Sequence, residues 1–208
     1  PDGVRCYTDE SARRRFVEYT HEQVRELCTN YGKVDVLWYD VAWPLYLEGW
    51  ESTRMNAMVR RLQPDIIIND RSWAPEDFST PEQKIIAAED GRAWEACMTL
   101  NGSWGYNRGD NDWKSARTVV NHLLHACRDG GNYLLNIGPM PDGSVPEPSV
   151  RVLREVGEWL QRNGEAVYDS EPALMEPFMY NVQGWWTVKG RVAYLHAFAW
   201  PGTDFAIG

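Results

Sequence analysis

The chain has 208 residues, 43% apolar and 12% aromatic, enough to bury one substantial core and part of a second. Its 30 acidic against 21 basic residues give a formal charge of −9, the wrong sign for a nucleic-acid partner. No apolar run approaches the ~18 residues that cross a bilayer, and no basic-then-apolar leader opens the chain.

From Ser11 to Thr29, apolar residues including Phe16, Val17, Val24 and Cys28 recur at three- and four-residue steps, which predicts a helix stopped at Asn30-Tyr31-Gly32. Lys33 to Tyr39 is short and β-rich, reads as a strand buried on both faces, and ends on Asp40. A second helix is expected from about Glu51 to Leu62, ahead of Pro64, and a second buried strand from Asp65 to Asp70. After a Pro-containing loop, Ala93 to Leu100 reads as a third strand. Trp113 to Cys127 follows as a helix ended by Gly130-Gly131, and Asn132 to Ile137 as a fourth strand closed by Gly138-Pro139. Pro148 to Asn163 is a last helix, ended by Gly164. Repeated βα units mean parallel strands, and both a doubly wound sheet and a (β/α)8 barrel satisfy them.

Beyond Glu171 the texture changes. Phe178 to Asn181, Trp185 to Val188 and Val192 to Phe198 are short β-rich runs separated by Gly-bearing turns such as Gln183-Gly184 and Lys189-Gly190. The expected organisation is an α/β domain over residues 1–170 and the start of an antiparallel β domain over 171–208. Both ends of the chain read as cuts. The four cysteines, Cys6, Cys28, Cys97 and Cys127, stand singly and read as buried free thiols.

Parallel βα folds carry their sites where strands run out at their carboxyl ends. The first strand delivers Trp38 and Asp40 on one face, aligned by period two with Val34 and Val36, and the second ends in Asn69-Asp70-Arg71. Glu95 lies just inside the third strand. The loop after it carries Asn101-Gly102-Ser103-Trp104-Gly105-Tyr106, and the fourth strand ends with Asn136. Two carboxylates, an arginine and aromatics suit glycoside hydrolysis, in which an ionised acid attacks the anomeric carbon and a protonated one releases the leaving oxygen. Chain spacing does not give the distance between the carboxyls, so stereochemistry stays open at this point.

Four blocks carry a resemblance. Val24 to Asp40 (Val-Arg-Glu-Leu-Cys-Thr-Asn-Tyr-Gly-Lys-Val-Asp-Val-Leu-Trp-Tyr-Asp) resembles the nucleophile segment of α-L-fucosidases of glycoside hydrolase family 29. Leu62 to Arg71, Trp94 to Tyr106 and Gly130 to Pro139 resemble that family's later blocks, in the family's order. The resemblance implies an irregular (β/α)8-like barrel, represented here by its later half, followed by the start of a β-sandwich, and a retaining mechanism through a covalent fucosyl-enzyme. It places Asp40 as nucleophile, Trp38 as a pocket-lining residue, Arg71 as a fucose-contacting arginine and Glu95 as acid/base, with Glu82 and Glu89 on the same loop. Trp104 and Tyr106 are candidates for lining the site. Where many members carry Gly after the nucleophile, this chain has Val41-Ala42-Trp43-Pro44, and Trp43, Tyr46 and Trp50 are expected on the aglycone side.

The implied substrate is a fucosylated oligosaccharide or glycoconjugate. No metal or organic cofactor and no membrane partner is implied, and an oligomer is compatible. The family's habits imply a periplasmic or secreted location, or a lysosomal one. The rival from another class is a non-catalytic carbohydrate-binding relative. His122 and His125, three apart on a helix, lack a third ligand and read as packed or solvated. The sequon Asn101-Gly102-Ser103 is not expected to be glycosylated beside the site.

Overall fold

The computed structural model describes residues 5–40, 43–172, 184–199 and 202–203. It divides into two compact units, residues 1–80 and 81–208.

In the first unit, α1 (Arg5–Thr8) precedes α2 (Glu10–Asn30), the expected first helix. Asp9 caps α2 by accepting the Ala12 N–H at 2.9 Å. β1 (Val36–Leu37) follows, then α3 (Leu47–Trp50), α4 (Ser52–Leu62), β2 (Ile67–Ile68), a 3-10 turn over Asp70–Ser72, and β3 (Phe78–Ser79). β1 and β2 pair in parallel, Val36 beside Ile67 and Leu37 beside Ile68. Val24 and Cys28 of α2, with Met55, Met58 and Val59 of α4, cover one face of this pair around the fully buried Ile68, and Leu37 and Tyr39 pack into the same cluster. Burying each such aliphatic side chain contributes about 1.5–3 kcal/mol.

Two expectations are corrected here. The first strand pairs regularly over two residues only, and Val34 packs with the helix-facing cluster instead of sharing a face with Val36. Nor is the pair covered on both sides: Val36 and Ile67 remain 46% and 45% exposed, because the unit's helices cover the Leu37 and Ile68 face alone.

In the second unit, β4 (Ala93–Thr99), α5 (Ala116–Arg128), β5 (Asn132–Asn136) and α6 (Glu147–Asn163) follow the expected βαβα order. β4 and β5 pair in parallel from Glu95 beside Asn132 to Thr99 beside Asn136. Ser115 caps α5, its Oγ accepting the Thr118 N–H at 3.1 Å. The helix closes when the Gly131 N–H reaches back to Ala126 O at 2.9 Å, with Gly130 left-handed at φ 73°. At Gly131 it is packing that requires glycine. A Cβ there would lie 2.1 Å from the buried Trp94 ring. Leu100, Val119, Leu124, Val152 and Val156 form the core, with Tyr133 and Leu135 of β5 and Ile137 just after it packed against it.

The antiparallel sheet expected late in the chain is present: β6 (Glu171–Pro172), β7 (Gly184–Lys189) and β8 (Val192–Ala197), in that order. Trp185 of β7 stacks on His125 of α5 at 4.9 Å. The expected run Phe178 to Asn181 and the turn residue Gln183 lie outside the described residues, as do Val41 and Ala42.

Candidate active site

The first unit unites three of the residues singled out from sequence. β1 places Leu37 and Tyr39 against the helices, so the intervening Trp38 and the following Asp40 turn to the opposite face. The Asp40 carboxylate, 61% exposed, accepts a hydrogen bond from Arg71 Nη1 at 3.0 Å. Arg71 is held on three sides. Its Nε donates to Thr80 Oγ1 at 2.9 Å, its Nη2 to Thr80 O at 3.4 Å, and its Cζ lies 4.5 Å from the centre of the Trp38 ring. Thr80 Oγ1 in turn donates to Asp70 Oδ1 at 3.0 Å. An ion pair this open to water contributes at most about 1 kcal/mol to folding. So firm an anchorage for one guanidinium serves orientation: a planar fork aimed at the carboxylate through Nη1, with Nε and Nη2 held by Thr80.

Behind Asp40, the Tyr39 hydroxyl donates to Asn56 Oδ1 at 3.0 Å. Asn56 Nδ2 donates to Glu76 Oε1 at 2.6 Å and Ser72 Oγ at 3.1 Å, and Asp77 Oδ2 accepts from Arg60 Nη2 at 2.9 Å and from the Ile68 N–H at 2.7 Å. Burial, with the Cys28 thiol and Glu76 carboxylate nearby, drives the Tyr39 phenol far above its ordinary value of 10.0, so it stays a neutral donor.

Of the expected aglycone-side aromatics, Trp43 and Tyr46 are exposed, and the Tyr46 ring lies 5.0 Å from Trp73. Trp50 instead packs on Phe16 of α2 at 5.4 Å, and its carbonyl meets Nε2 of the buried His21 at 2.8 Å. Trp50 therefore serves helix packing.

The second unit carries the remaining candidates. Glu95 is the third residue of β4 and sits beside the first residue of β5, in the amino-terminal half of the parallel pair. The segment carrying Glu82 runs alongside β4 nearer its carboxyl end: the Cys97 N–H donates to Pro81 O at 3.0 Å and the Gln83 N–H to Cys97 O at 2.9 Å. Glu89 is exposed in the loop before β4. At the carboxyl end, Gln83 Nε2 donates to Thr99 Oγ1 at 2.9 Å and Lys114 Nζ to Thr99 O at 2.7 Å. Trp104 and Tyr106 stand 42% and 38% exposed on the loop after β4. That loop rests on Gly138, where a Cβ would lie 2.7 Å from Gly105 C, and Ser103 Oγ ties it to Asp110 Oδ2 at 2.7 Å. The Ser103 hydrogen bond, chiefly, holds the Asp110 carboxyl below its usual value. Asn101 is buried at 7% exposure, which withholds its amide from glycosylation.

His122 faces the Tyr133 hydroxyl at 3.4 Å and His125 pairs with Asp129 at 3.3 Å. No group of three metal-ligating side chains occurs among the described residues, nor is any described helix long and apolar enough to cross a membrane. All four cysteines are free thiols; Cys28 and Cys97 are buried, whereas Cys6 and Cys127 are partly exposed. Sequence reasoning missed Thr80, which no motif marks. It named Asn69 and Asp70 only as polar strand-end residues, although a wholly buried Asn after three isoleucines is itself a signal.

Residues 4–165 match the family described as Alpha-L-fucosidase. The chain is 31% identical over 196 residues to the tissue alpha-L-fucosidase of Homo sapiens, covering 88% of this chain and 41% of that one. Among solved structures it is similar to alpha-L-fucosidase isoenzyme 1 from Paenibacillus thiaminolyticus, at 39% identity and a TM-score of 0.79 over 88% of this chain and 47% of the other. It is also similar to a Bacteroides thetaiotaomicron GH29 alpha-L-fucosidase trapped as a covalent intermediate, at 27% identity and a TM-score of 0.75 over 86% and 46% of the two chains. The chain thus spans less than half the length of these relatives, and over that span it belongs to the α-L-fucosidase family of glycoside hydrolases.

Proposed function

We propose that the protein to which this chain belongs is a retaining exo-α-L-fucosidase that releases terminal α-L-fucose from glycans, with Asp40 as its nucleophile. The observation that carries the reading is the Asp40 carboxylate, open to solvent beyond the end of a parallel strand and held by an arginine that Thr80 and Trp38 fix in place. Asp40 Oδ attacks C1 of the fucosyl unit as the glycosidic C1–O bond breaks, and a carboxylic acid protonates the departing oxygen. The resulting carboxylate then takes a proton from water, whose oxygen attacks C1. The C1–Oδ bond breaks, and L-fucose leaves with its configuration retained. Arg71 orients the nucleophile and contacts the sugar. Trp38, Trp104 and Tyr106 offer apolar faces to it.

The acid/base is Glu95 by position within the family's block. One observation favours Glu82 as a second reading, because its segment lies beside Cys97, two residues nearer the carboxyl end where such sites form. In this reading residues 1–170 are the later part of a (β/α)8-like barrel and 171–208 the start of a β-sandwich. The substrate is a fucosylated oligosaccharide or glycoconjugate met outside the cytoplasm. The covalent intermediate trapped in the Bacteroides relative supports the retaining course.

The test is to incubate the complete protein with 2-fluoro-fucosyl fluoride and map the adduct by peptide mass. An adduct on Asp40 is expected, and one on any other residue overturns the assignment. L-fucose binding with neither adduct nor turnover of an aryl α-L-fucoside marks a non-catalytic relative instead, and turnover of other aryl glycosides marks a different sugar specificity. Among Glu95→Gln, Glu82→Gln and Glu89→Gln, the acid/base variant is the one whose deficit in kcat/KM vanishes on substrates with strongly acidic leaving groups, which need no protonation, while its kcat stays low because the second step still lacks its base.

A further inference from the structure

We propose that Asn69 is the positioning residue for Asp40, its side-chain amide supplying the next rung of the β1–β2 ladder; this rests on the reading of Asp40 as nucleophile. The backbone ladder runs as far as Leu37: the Ile67 N–H donates to Asp35 O at 3.0 Å and the Asn69 N–H to Leu37 O at 3.3 Å. A further rung requires the chain after Asn69 to continue beside Tyr39. Instead it turns away into the 3-10 turn at Asp70–Ser72, which is what brings Arg71 round to Asp40. The Asn69 amide takes the vacated place. Its Oδ1 accepts the Tyr39 N–H at 3.0 Å and its Nδ2 donates to Tyr39 O at 3.0 Å.

That carbonyl belongs to the peptide joining Tyr39 to Asp40, so the second bond fixes the plane from which the Asp40 side chain projects. The amide is completely buried and has no water to turn to. Its orientation is dictated, since the Tyr39 N–H needs an acceptor and its carbonyl a donor. At the other end of the same residue, Asn56 holds the Tyr39 hydroxyl, so Asp40 hangs from a residue pinned at backbone and ring. Asn69 bonds Tyr39 and not Asp40 itself, and acts through the backbone.

The position demands a donor and an acceptor side by side. Leucine has the shape and neither group. An ionised aspartate has two acceptors and repels the Tyr39 carbonyl, whereas its neutral acid restores one donor and one acceptor. Burial raises the pKa of such a carboxyl. Variants Asn69→Leu and Asn69→Asp of the complete protein are therefore assayed on an aryl α-L-fucoside, with kcat expressed per site titrated by 2-fluoro-fucosyl fluoride.

Asn69→Leu is expected to lower kcat by roughly 10- to 100-fold, with L-fucose affinity changed less than about threefold. The kcat of Asn69→Asp relative to wild type is expected to climb as pH falls from about 7.5 to about 5. A kcat per site within about twofold of wild type in Asn69→Leu, or an Asn69→Asp deficit that is the same at every pH, overturns the proposal. Should Asn69→Leu fail to fold, the pH series on Asn69→Asp decides alone. Asp40→Gly run alongside separates the two readings: full activity removes the nucleophile, whereas an inactive Asp40→Gly beside wild-type Asn69 variants removes only the positioning role.

Discussion

Each unit is built on a parallel strand pair, and the two pairs end differently. β4 and β5 stay in register through Thr99 and Asn136, and the main chain carries the next contact as well, from the Leu100 N–H to Asn136 O at 3.1 Å. β1 and β2 pair regularly for two residues, after which the Asn69 amide and the chain of Tyr39, Asn56 and Glu76 take over. Main-chain rungs tolerate any residue that keeps the strand. Side-chain rungs do not, because a buried amide or carboxylate left without its partner costs about 1–3 kcal/mol. Where a strand must release its chain early to present a nucleophile, geometry passes from backbone to a few irreplaceable side chains. Substitutions at the end of β1 should therefore register in activity as well as in stability, and those in the packing of the second unit in stability alone.

The sharpest way to break this contrast is Asp40→Gly. Its carboxylate is mostly solvent-exposed, so the variant should fold with little change in Tm, while kcat of the complete protein on an aryl α-L-fucoside falls by at least ~10³-fold. Undiminished turnover would sink the nucleophile. Next in size is Arg71→Lys. A lysine cannot at once stack on Trp38, bond both Thr80 oxygens and meet Asp40, so kcat/KM should fall by about 10²-fold, again with little loss of folded protein. Full activity in Arg71→Lys would mean that charge alone suffices and the three-sided anchorage is incidental.

The sequence conveys the second unit's architecture well because its elements are long and backbone-paired. The amphipathic stretches before Arg128 and Asn163 become α5 and α6, and the run from Ala93 becomes β4 within a residue of its expected end. In the first unit periodicity locates α2 and α4 and puts Trp38 with Asp40, but overstates the strands. Apart from Lys33 and Asp35 the run from Lys33 to Tyr39 is apolar, yet only Val36 and Leu37 pair, since what completes the ladder is a side chain from residue 69. No local pattern announces that Thr80 will hold Arg71 or that Trp50 will turn to Phe16. Such contacts depend on where loops return, and loops carry no period.

Gly131→Ala tests the other half of the contrast. A methyl at this position would lie 2.1 Å from the Trp94 ring, which is 3% exposed and packed with Ala96 and Ala126, so the ring or the turn must move. Overpacking of this kind costs about 2 kcal/mol, seen as a lower Tm, while kcat per titrated site changes little. A Tm equal to wild type would show that the β4–α5 packing is looser than the geometry implies.

The smallest expected effect is on the pH dependence of stability, and it belongs to the second unit. Burial lowers the pKa values of His122, His125 and His196 below the ordinary 6.5; Lys114 and His125 add to it for His122, and Arg128 for His125, where Asp129 partly opposes. In the unfolded chain these imidazoles take up protons near 6.5, whereas the folded unit keeps them neutral to lower pH. Their contribution is therefore whole above 6.5 and is lost as pH falls through the lowered folded values. The carboxyls held low at Asp9, Glu18, Asp90, Asp110 and Asp142 titrate below their ordinary 3.8 to 4.5, outside this window. At His196 the tautomer follows from its partner. The buried Thr187 hydroxyl donates to Ala166 O at 2.6 Å, so its oxygen can only accept, at 2.8 Å, from a protonated His196 Nε2. A glutamine keeps such a donor and removes the titration. His196→Gln should leave Tm near wild type at about pH 7.5 and reduce the fall in Tm on acidification to about pH 5.5. An undiminished fall would assign the pH dependence to His122 and His125 alone, and with it to the α5 side of the packing rather than to the antiparallel sheet.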